Sequence, residues 1–354
     1  MSSYKMRRQK PCIGSPLQKF FIQTAMKTKV FYLASALFVL LFIGCKEDRF
    51  INEPGNLVPK TVDLDPSLPS IYVNGTQLHA ETFGNPDNAM VLLLHGGPGG
   101  DYRSLLSAKQ LANDGYYVIF YDQRGSGLSK RHPKNSYTIQ LMIDDVSAVI
   151  AHYRTSPTQK VFLFGHSWGA ILAAAYINAY PNSINGAVFA EPGGFTWDNL
   201  KEYGEKSRKL DLFAENTNNV LYMDQFLTGK ENDHAILDYK LSISSSFLLE
   251  KDNVEGINGL TPFWRNGAVV LNSLAAIAEK DGYDFTPNLH KYNTKTLFIY
   301  GSKNRAYGYD FAKKEAQNFP NYEIVKIENT GHEMVYFEWN QVYAATLSYL
   351  NALK

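Results

Sequence analysis

Val161-Phe162-Leu163-Phe164-Gly165-His166-Ser167-Trp168-Gly169-Ala170 reads as a buried strand that ends in a forced turn. Its apolar, β-branched and aromatic residues suit a strand covered on both faces, and the small residues from 170 to 180 suit a helix packed close behind it. Between the two lies Gly165-x-Ser167-x-Gly169. A serine on so tight a strand-to-helix turn is driven into a strained backbone, and the flanking glycines leave room for strand and helix to approach. The helix N-terminus then faces the serine, where its dipole stabilises negative charge.

Outward from this stretch the same alternation recurs. Upstream, 71–78 reads as two strands joined by an Asn74-Gly75 type I′ turn, 90–94 as an apolar strand, 104–112 as a helix and 117–121 as a strand. Ile139, Ile143, Val146 and Ile150 fall at helical spacing within 138–153. Downstream, a strand at 186–190 is followed, after an interruption, by a strand at 296–300, a helix at 309–318, a strand at 323–327 and a helix at 338–353. Apolar strands alternating with helices predict an α/β architecture, a mostly parallel central sheet flanked by helices. The interruption, 192–292, is rich in helix formers and aromatics, among them Phe195, Trp197, Phe213, Tyr222, Phe226, Phe247, Phe263 and Trp264, with no clear strand. It predicts a helical cap inserted over the sheet edge.

A chain of 354 residues with 45% apolar content holds one large domain with an insertion, or two ordinary ones. The formal net charge of +1 implies no polyanionic partner, and no nucleic-acid function is expected.

The amino end reads as a leader. Met26-Lys27-Thr28-Lys29 puts positive charge before an apolar run at 30–43, the layout of a secretory signal, and the run is shorter than the roughly 20 residues a membrane span needs. Phe42-Ile43-Gly44-Cys45 resembles a bacterial lipobox, with an aromatic where leucine is usual. That resemblance implies lipidation at Cys45, anchoring to a bacterial membrane through several acyl chains, and an exported protein. Lys46-Glu47-Asp48 is similar to the charged surface-export signal of some Gram-negative lipoproteins. The alternative is a single-span anchor beginning near Met1. Cys12 and Cys45 are the two cysteines, so an exported domain carries no disulfide. The expected organisation is a leader and signal peptide at 1–45, a proline-bearing tether at 46–69, core at 70–191, cap at 192–292 and core at 293–354.

Three further stretches follow predicted strands, where loops of a parallel sheet converge on a ligand. In His95-Gly96-Gly97-Pro98-Gly99-Gly100 the glycines let the backbone bend, so that the N–H groups of Gly97 and Trp168 form an oxyanion hole. In Asp122-Gln123-Arg124-Gly125-Ser126-Gly127-Leu128-Ser129, Asp122 and Arg124 are expected to brace the loops beneath the site. Thr330-Gly331-His332 puts a histidine at the chain-order position of a general base for Ser167.

Together the His95 run, the Asp122 run, Gly165-His-Ser-Trp-Gly and Gly331-His332 resemble the proline iminopeptidase family of the α/β-hydrolases. The likeness covers the core on both sides of the cap. It implies an α/β-hydrolase fold, removal of N-terminal residues from small peptides without metal or cofactor, Ser167 as nucleophile, His332 as base, and Gly97 and Trp168 as oxyanion donors. His166 stands where glycine is more usual.

Two departures bear on mechanism. The family's triad acid lies in a Gly-x-x-Asp pattern after the strand at 296–300, where this chain has Gly301-Ser302-Lys303-Asn304. Asparagine cannot balance an imidazolium, and the equivalent change in a serine protease costs about 10⁴ in rate. Glu191, directly after the strand at 186–190, is the expected replacement: Phe189-Ala190-Glu191-Pro192 resembles the arrangement of some haloalkane dehalogenases, in which a glutamate after this strand orients the histidine. Asp310 is the second candidate, and Asn304→Ala is expected to change little. The cap lacks the family's Glu-x-His-Tyr segment, and Glu202, Glu205, Glu215 and Glu231 are left as unplaced candidates for holding a substrate ammonium.

The expectation is a lipid-anchored serine hydrolase acting through an acyl-enzyme on a small molecule or short peptide, an aminopeptidase first and a carboxylesterase second. The contrasting reading is a binding lipoprotein on a decayed hydrolase scaffold, for which Asn304 argues.

Overall fold

The computed structural model describes residues 57–207, 232–246 and 253–354. The expected leader with Cys12 and Cys45, the tether up to residue 56, and Phe213, Glu215, Tyr222, Phe226, Glu231 and Phe247 of the cap lie outside the described residues.

Strands β1 (Ser70–Val73) and β2 (Thr76–Phe83) form the hairpin set by Asn74-Gly75, whose residues both have positive φ. They are followed by β3 (Ala89–Leu94), β4 (Tyr116–Tyr121), β5 (Val161–His166), β6 (Gly186–Ala190), β7 (Thr296–Gly301) and β8 (Tyr322–Ile327). The sheet runs β1-β2-β4-β3-β5-β6-β7-β8, antiparallel through β1, β2 and β4 and parallel from β4 onward. This is the α/β-hydrolase fold.

Alternation along each strand sorts side chains onto two buried faces. Leu92, Leu94, Ile119, Leu163 and Phe298 pack against α1 (Ile139–Tyr153) and α2 (Trp168–Ala179). Val91, Leu93, Phe120, Phe164 and Ile299 meet the residues of the last helix, Trp339–Leu353, on the other face. Each such side chain stabilises the fold by about 1.5–3 kcal/mol through burial, which is why these strands read as unbroken apolar runs. Helix α2 is buried on every side from Trp168 to Ile177, and its alanines let it lie close to the sheet.

The expected helix at 104–112 is a 3₁₀ helix, Tyr102–Asp114, capped by Asp101. Its buried residues, Tyr102, Leu105, Ala108 and Leu111, are spaced by three, which matches the 3₁₀ repeat and not the α repeat.

The cap region contributes α3 (Trp197–Lys206), α4 (Asp233–Ser246) and α5 (Ala268–Asp281). The core then resumes with β7, α6 (Gly308–Ala316), β8, the short α7 (Met334–Phe337) and α8 (Trp339–Leu353). Fixed polar contacts join cap to core. Buried Asp238 of α4 accepts from Arg131 of the core at 2.9 Å and, within the cap, from Arg265 at 2.7 Å, and the Gly267 N–H donates to Gly99 O at 2.7 Å. Buried Glu315 of α6 accepts from the Phe195 N–H and from Asn199 of α3; burial raises its pKa to about 7 despite those two donors. The described end of the expected tether is itself docked, with Val62 N–H bonded to Leu128 O and Pro59 O accepting from Arg265. Among the described residues, no helix is long and apolar enough to cross a membrane.

Candidate active site

Every expected site loop leaves the same end of the sheet. Register aligns Leu94 with Gly165, His166 with Ala190 and Ala190 with Ile299, so the loops beginning at His95, Ser167, Glu191 and after Gly301 emerge side by side.

Ser167 sits at φ 54°, ψ −122°, a conformation that costs an L-residue roughly 1–3 kcal/mol. Its N–H is bonded to Ala190 O at 2.9 Å and its carbonyl accepts from Ala170 and Ile171, so both sides of the turn are pinned. The flanking glycines answer to space: a Cβ on Gly165 would lie 2.4 Å from Gly169 O, and one on Gly169 would lie 1.9 Å from Leu94 O. Strand, turn and helix therefore touch backbone to backbone.

The expected oxyanion donors lie on either side of this turn. Trp168 is the first residue of α2, where no preceding turn offers its N–H a carbonyl. Gly97, at φ 126°, belongs to the glycine loop, and Gly97, Ser167 and Trp168 line one cavity. Gln123 locks the two halves together. Its amide donates to His95 O at 2.9 Å and accepts from the Trp168 indole at 2.8 Å, while its backbone N–H donates to His95 Nε2 at 2.9 Å. His95 therefore carries its proton on Nδ1 and donates it to Gly96 O; burial holds its pKa below the usual value, so it stays neutral. Asp122 and Arg124 brace the loop as expected, Asp122 on His79 and on the N–H groups of Tyr102 and Leu128, Arg124 in a bidentate pair with Asp145. The sequence singled out this loop but missed Gln123, which touches both oxyanion segments.

On the other side, His332 Nδ1 lies 2.9 Å from Glu191 Oε2. Glu191 is fully buried, at φ 44°, and its carboxylate also accepts from the Gly301 N–H and the Asn304 amide, each at 2.7 Å. The expected acid is thus beside the imidazole. Asn304, considered as the acid position, instead positions the carboxylate: its Oδ1 is fixed by the N–H groups of Ala306 and Tyr307, which turns its amide toward Glu191. That hydrogen bond gives Asn304 a contact with the expected acid that its residue type did not suggest. Asp310, the second acid candidate, is exposed in the first turn of α6, whereas His332 is buried against Glu191.

With Nδ1–H donated to Glu191, Nε2 of His332 is left as the basic nitrogen. Burial alone would lower the pKa of His332; the carboxylate of Glu191, aided by Glu255 and Glu333, outweighs it, and the pKa lies above the usual value. His166 donates Nε2–H to His332 O at 2.8 Å and is itself kept neutral by burial, which gives the unusual histidine in the serine motif a holding role. A further carboxylate, Glu255, comes from the cap region. It is buried, accepts from the Tyr203 hydroxyl, and its backbone carbonyl accepts from His332 N–H at 2.9 Å. Tyr203 OH lies 3.4 Å from His332 Nδ1. A Cβ on Gly331 would fall 1.8 Å from Glu255 O, so that glycine admits the cap segment to the base. No sequence signal marked Tyr203 or Glu255.

Of the cap carboxylates considered for an ammonium, Glu202 pairs with Lys206 and Lys314, and Glu205 is exposed. Ser167, His166 and His332 line one cavity of about 340 Å³, within the range of small-ligand sites.

A family model described as serine aminopeptidase, S33, matches residues 85–242. A proline iminopeptidase of Pestalotiopsis fici is 24% identical over 269 residues, 75% of this chain and 92% of the relative. Among solved structures, a proline iminopeptidase of Mycobacterium smegmatis aligns with TM-score 0.54 at 16% identity, over 81% of this chain and 98% of that one. An esterase of Thermogutta terrifontis aligns with TM-score 0.53 at 20% identity, over 81% of this chain and 97% of that one. At these identities the structural likeness concerns the fold.

Proposed function

We propose that this chain is a serine hydrolase that cleaves a small amide or ester through an acyl-enzyme. The observation that carries the reading is the buried Glu191–His332 pair, 2.9 Å apart, on an imidazole that shares a cavity with the strained Ser167. His332 Nε2 takes the proton of Ser167 Oγ as the oxygen attacks the substrate carbonyl, and Glu191 balances the imidazolium formed. The N–H groups of Gly97 and Trp168 receive the oxyanion. Collapse of the tetrahedral intermediate breaks the bond to the leaving amine or alcohol, which takes the proton back from His332. Water, deprotonated by the same nitrogen, then releases the acyl group and restores Ser167.

Within this class we favour an aminopeptidase acting on short peptides, supported by the matching family description and by the iminopeptidase relative. A carboxylesterase is the second reading, favoured by the lack of a buried carboxylate aimed at an ammonium among the described residues of the apolar cavity beside Ser167. The decayed-scaffold reading rested on Asn304, and an asparagine that holds Glu191 removes its motive.

A fluorophosphonate probe tests the class. Labelling of the folded protein, lost in Ser167→Ala, is expected; a folded wild type that does not label refutes it. A screen of proline anilides against short acyl esters then separates the two readings. From the leader sequence we also propose export and acylation of Cys45, with palmitate incorporation in cells expected for the full chain and lost in Cys45→Ser.

A further inference from the structure

Ser167 is shared by two cavities of different character. One, of about 340 Å³, is mixed, walled by His332, His166, Glu333 and Asp101 and also by Leu260 and Phe263. The other, of about 580 Å³, lies between α2 and the cap helices and is walled by Trp168, Ile171, Trp197, Leu200, Leu274 and Tyr283. Gly97, Pro98, Ser167 and Leu271 belong to both.

The direction of catalysis distinguishes them. A leaving group must reach the proton on His332, and His332 lines the smaller cavity but not the larger one. The larger cavity holds the oxyanion donors Gly97 and Trp168, so a carbonyl seated there points its remaining substituent into an apolar chamber. The charged residues on that wall, Lys201 and Glu205, are both exposed, and Lys201 is paired with Asp198.

We propose that the larger cavity is the acyl subsite and that the substrate's acyl part is a bulky apolar group, with the leaving group on the His332 side. This rests on the acyl-enzyme reading. The same chemistry could come from a fatty acyl ester or from a large apolar amino-terminal residue.

Two substrate series test it: p-nitrophenyl esters from acetyl to octanoyl, and anilides of alanine, leucine and phenylalanine. Within whichever series is turned over, kcat/KM is expected to rise several-fold for each added methylene until the chamber is filled, some 100-fold in all. The series that responds identifies the source. Ala275→Trp, on the cavity-facing side of α5, is expected to lower kcat/KM for the longest substrate at least 10-fold and for the shortest far less. A flat series in a protein that labels with fluorophosphonate overturns the subsite assignment alone. Equal loss on short and long substrates in Ala275→Trp also overturns it, and a protein that never labels overturns both readings.

Discussion

On the Gly97 side of Ser167 the two loops that meet the serine are tied to each other by neutral groups, Gln123 bridging His95 and Trp168 with the charges of Asp122 and Arg124 kept to the loop beneath, whereas on the His332 side the imidazole itself is held by charge gathered from separate segments. Under the proposed mechanism the difference follows from what each side would do. An oxyanion is met by fixed dipoles that need not change, so glycines packed without spare volume and a saturated amide suffice. A base must gain and lose a proton, and its nitrogen has to be tuned, which calls for carboxylates whose own donors come from β7, from the loop after it and from the cap.

If that contrast is right, variants on the charged side move the pH profile and variants on the neutral side do not. The largest effect is expected of Glu191→Gln, a fall of about 10⁴ in kcat/KM. The base works only when neutral, so in the wild type activity is lost as pH falls through the raised pKa of His332, and the acid limb lies above pH 6.5. Glutamine removes the foremost group that raises that pKa and leaves burial, which lowers it, opposed only by Glu255 and Glu333, so the limb should move down. A pH profile of kcat/KM that falls in height but keeps its limb would break the comparison.

Next in size is Gln123→Ala, which unlocks His95 from Trp168 and leaves a buried indole N–H unpaired. It is expected to lower kcat about 30-fold with the acid limb fixed. A shifted limb would mean that the two sides are electrostatically coupled. Asn304→Ala withdraws one hydrogen bond from a buried carboxylate and should cost about 10-fold; an unchanged kcat/KM would return Asn304 to the inconsequential role its residue type suggests. Tyr203→Phe is the smallest, a few-fold, because its contact with the imidazole is long. By withdrawing one hydrogen bond from the Glu255 carboxylate it should move the acid limb up, a change that a packing defect alone would not produce.

The neutral side was largely legible in the sequence because its parts are local. Gly165-x-Ser167-x-Gly169 and the His95 glycine run each encode their own geometry within a few residues, and the close approaches of Gly165 and Gly169 are what those glycines exist to permit. The charged side was legible at Ser167 and His332, whose positions are fixed by strand ends, and at Glu191 only through the missing acid at 304. Tyr203 and Glu255 left no trace, since residues in a cap without periodic strands acquire meaning only from what they touch. The tether boundary misled for a related reason: prolines mark an extended chain but cannot say whether it is docked, and Val62 is.

The sequence by itself determined the order of strands and helices, the parallel sheet and the places where loops converge, because period and turn chemistry are properties of neighbouring residues. Only the tertiary structure decided that Asn304 serves Glu191, that Gln123 ties two loops and that Ser167 opens on two cavities. Those facts depend on contacts between segments far apart in the chain, 28 residues for His95 and Gln123 and 113 for Glu191 and Asn304, and on which polar side chains burial brings within reach of one another.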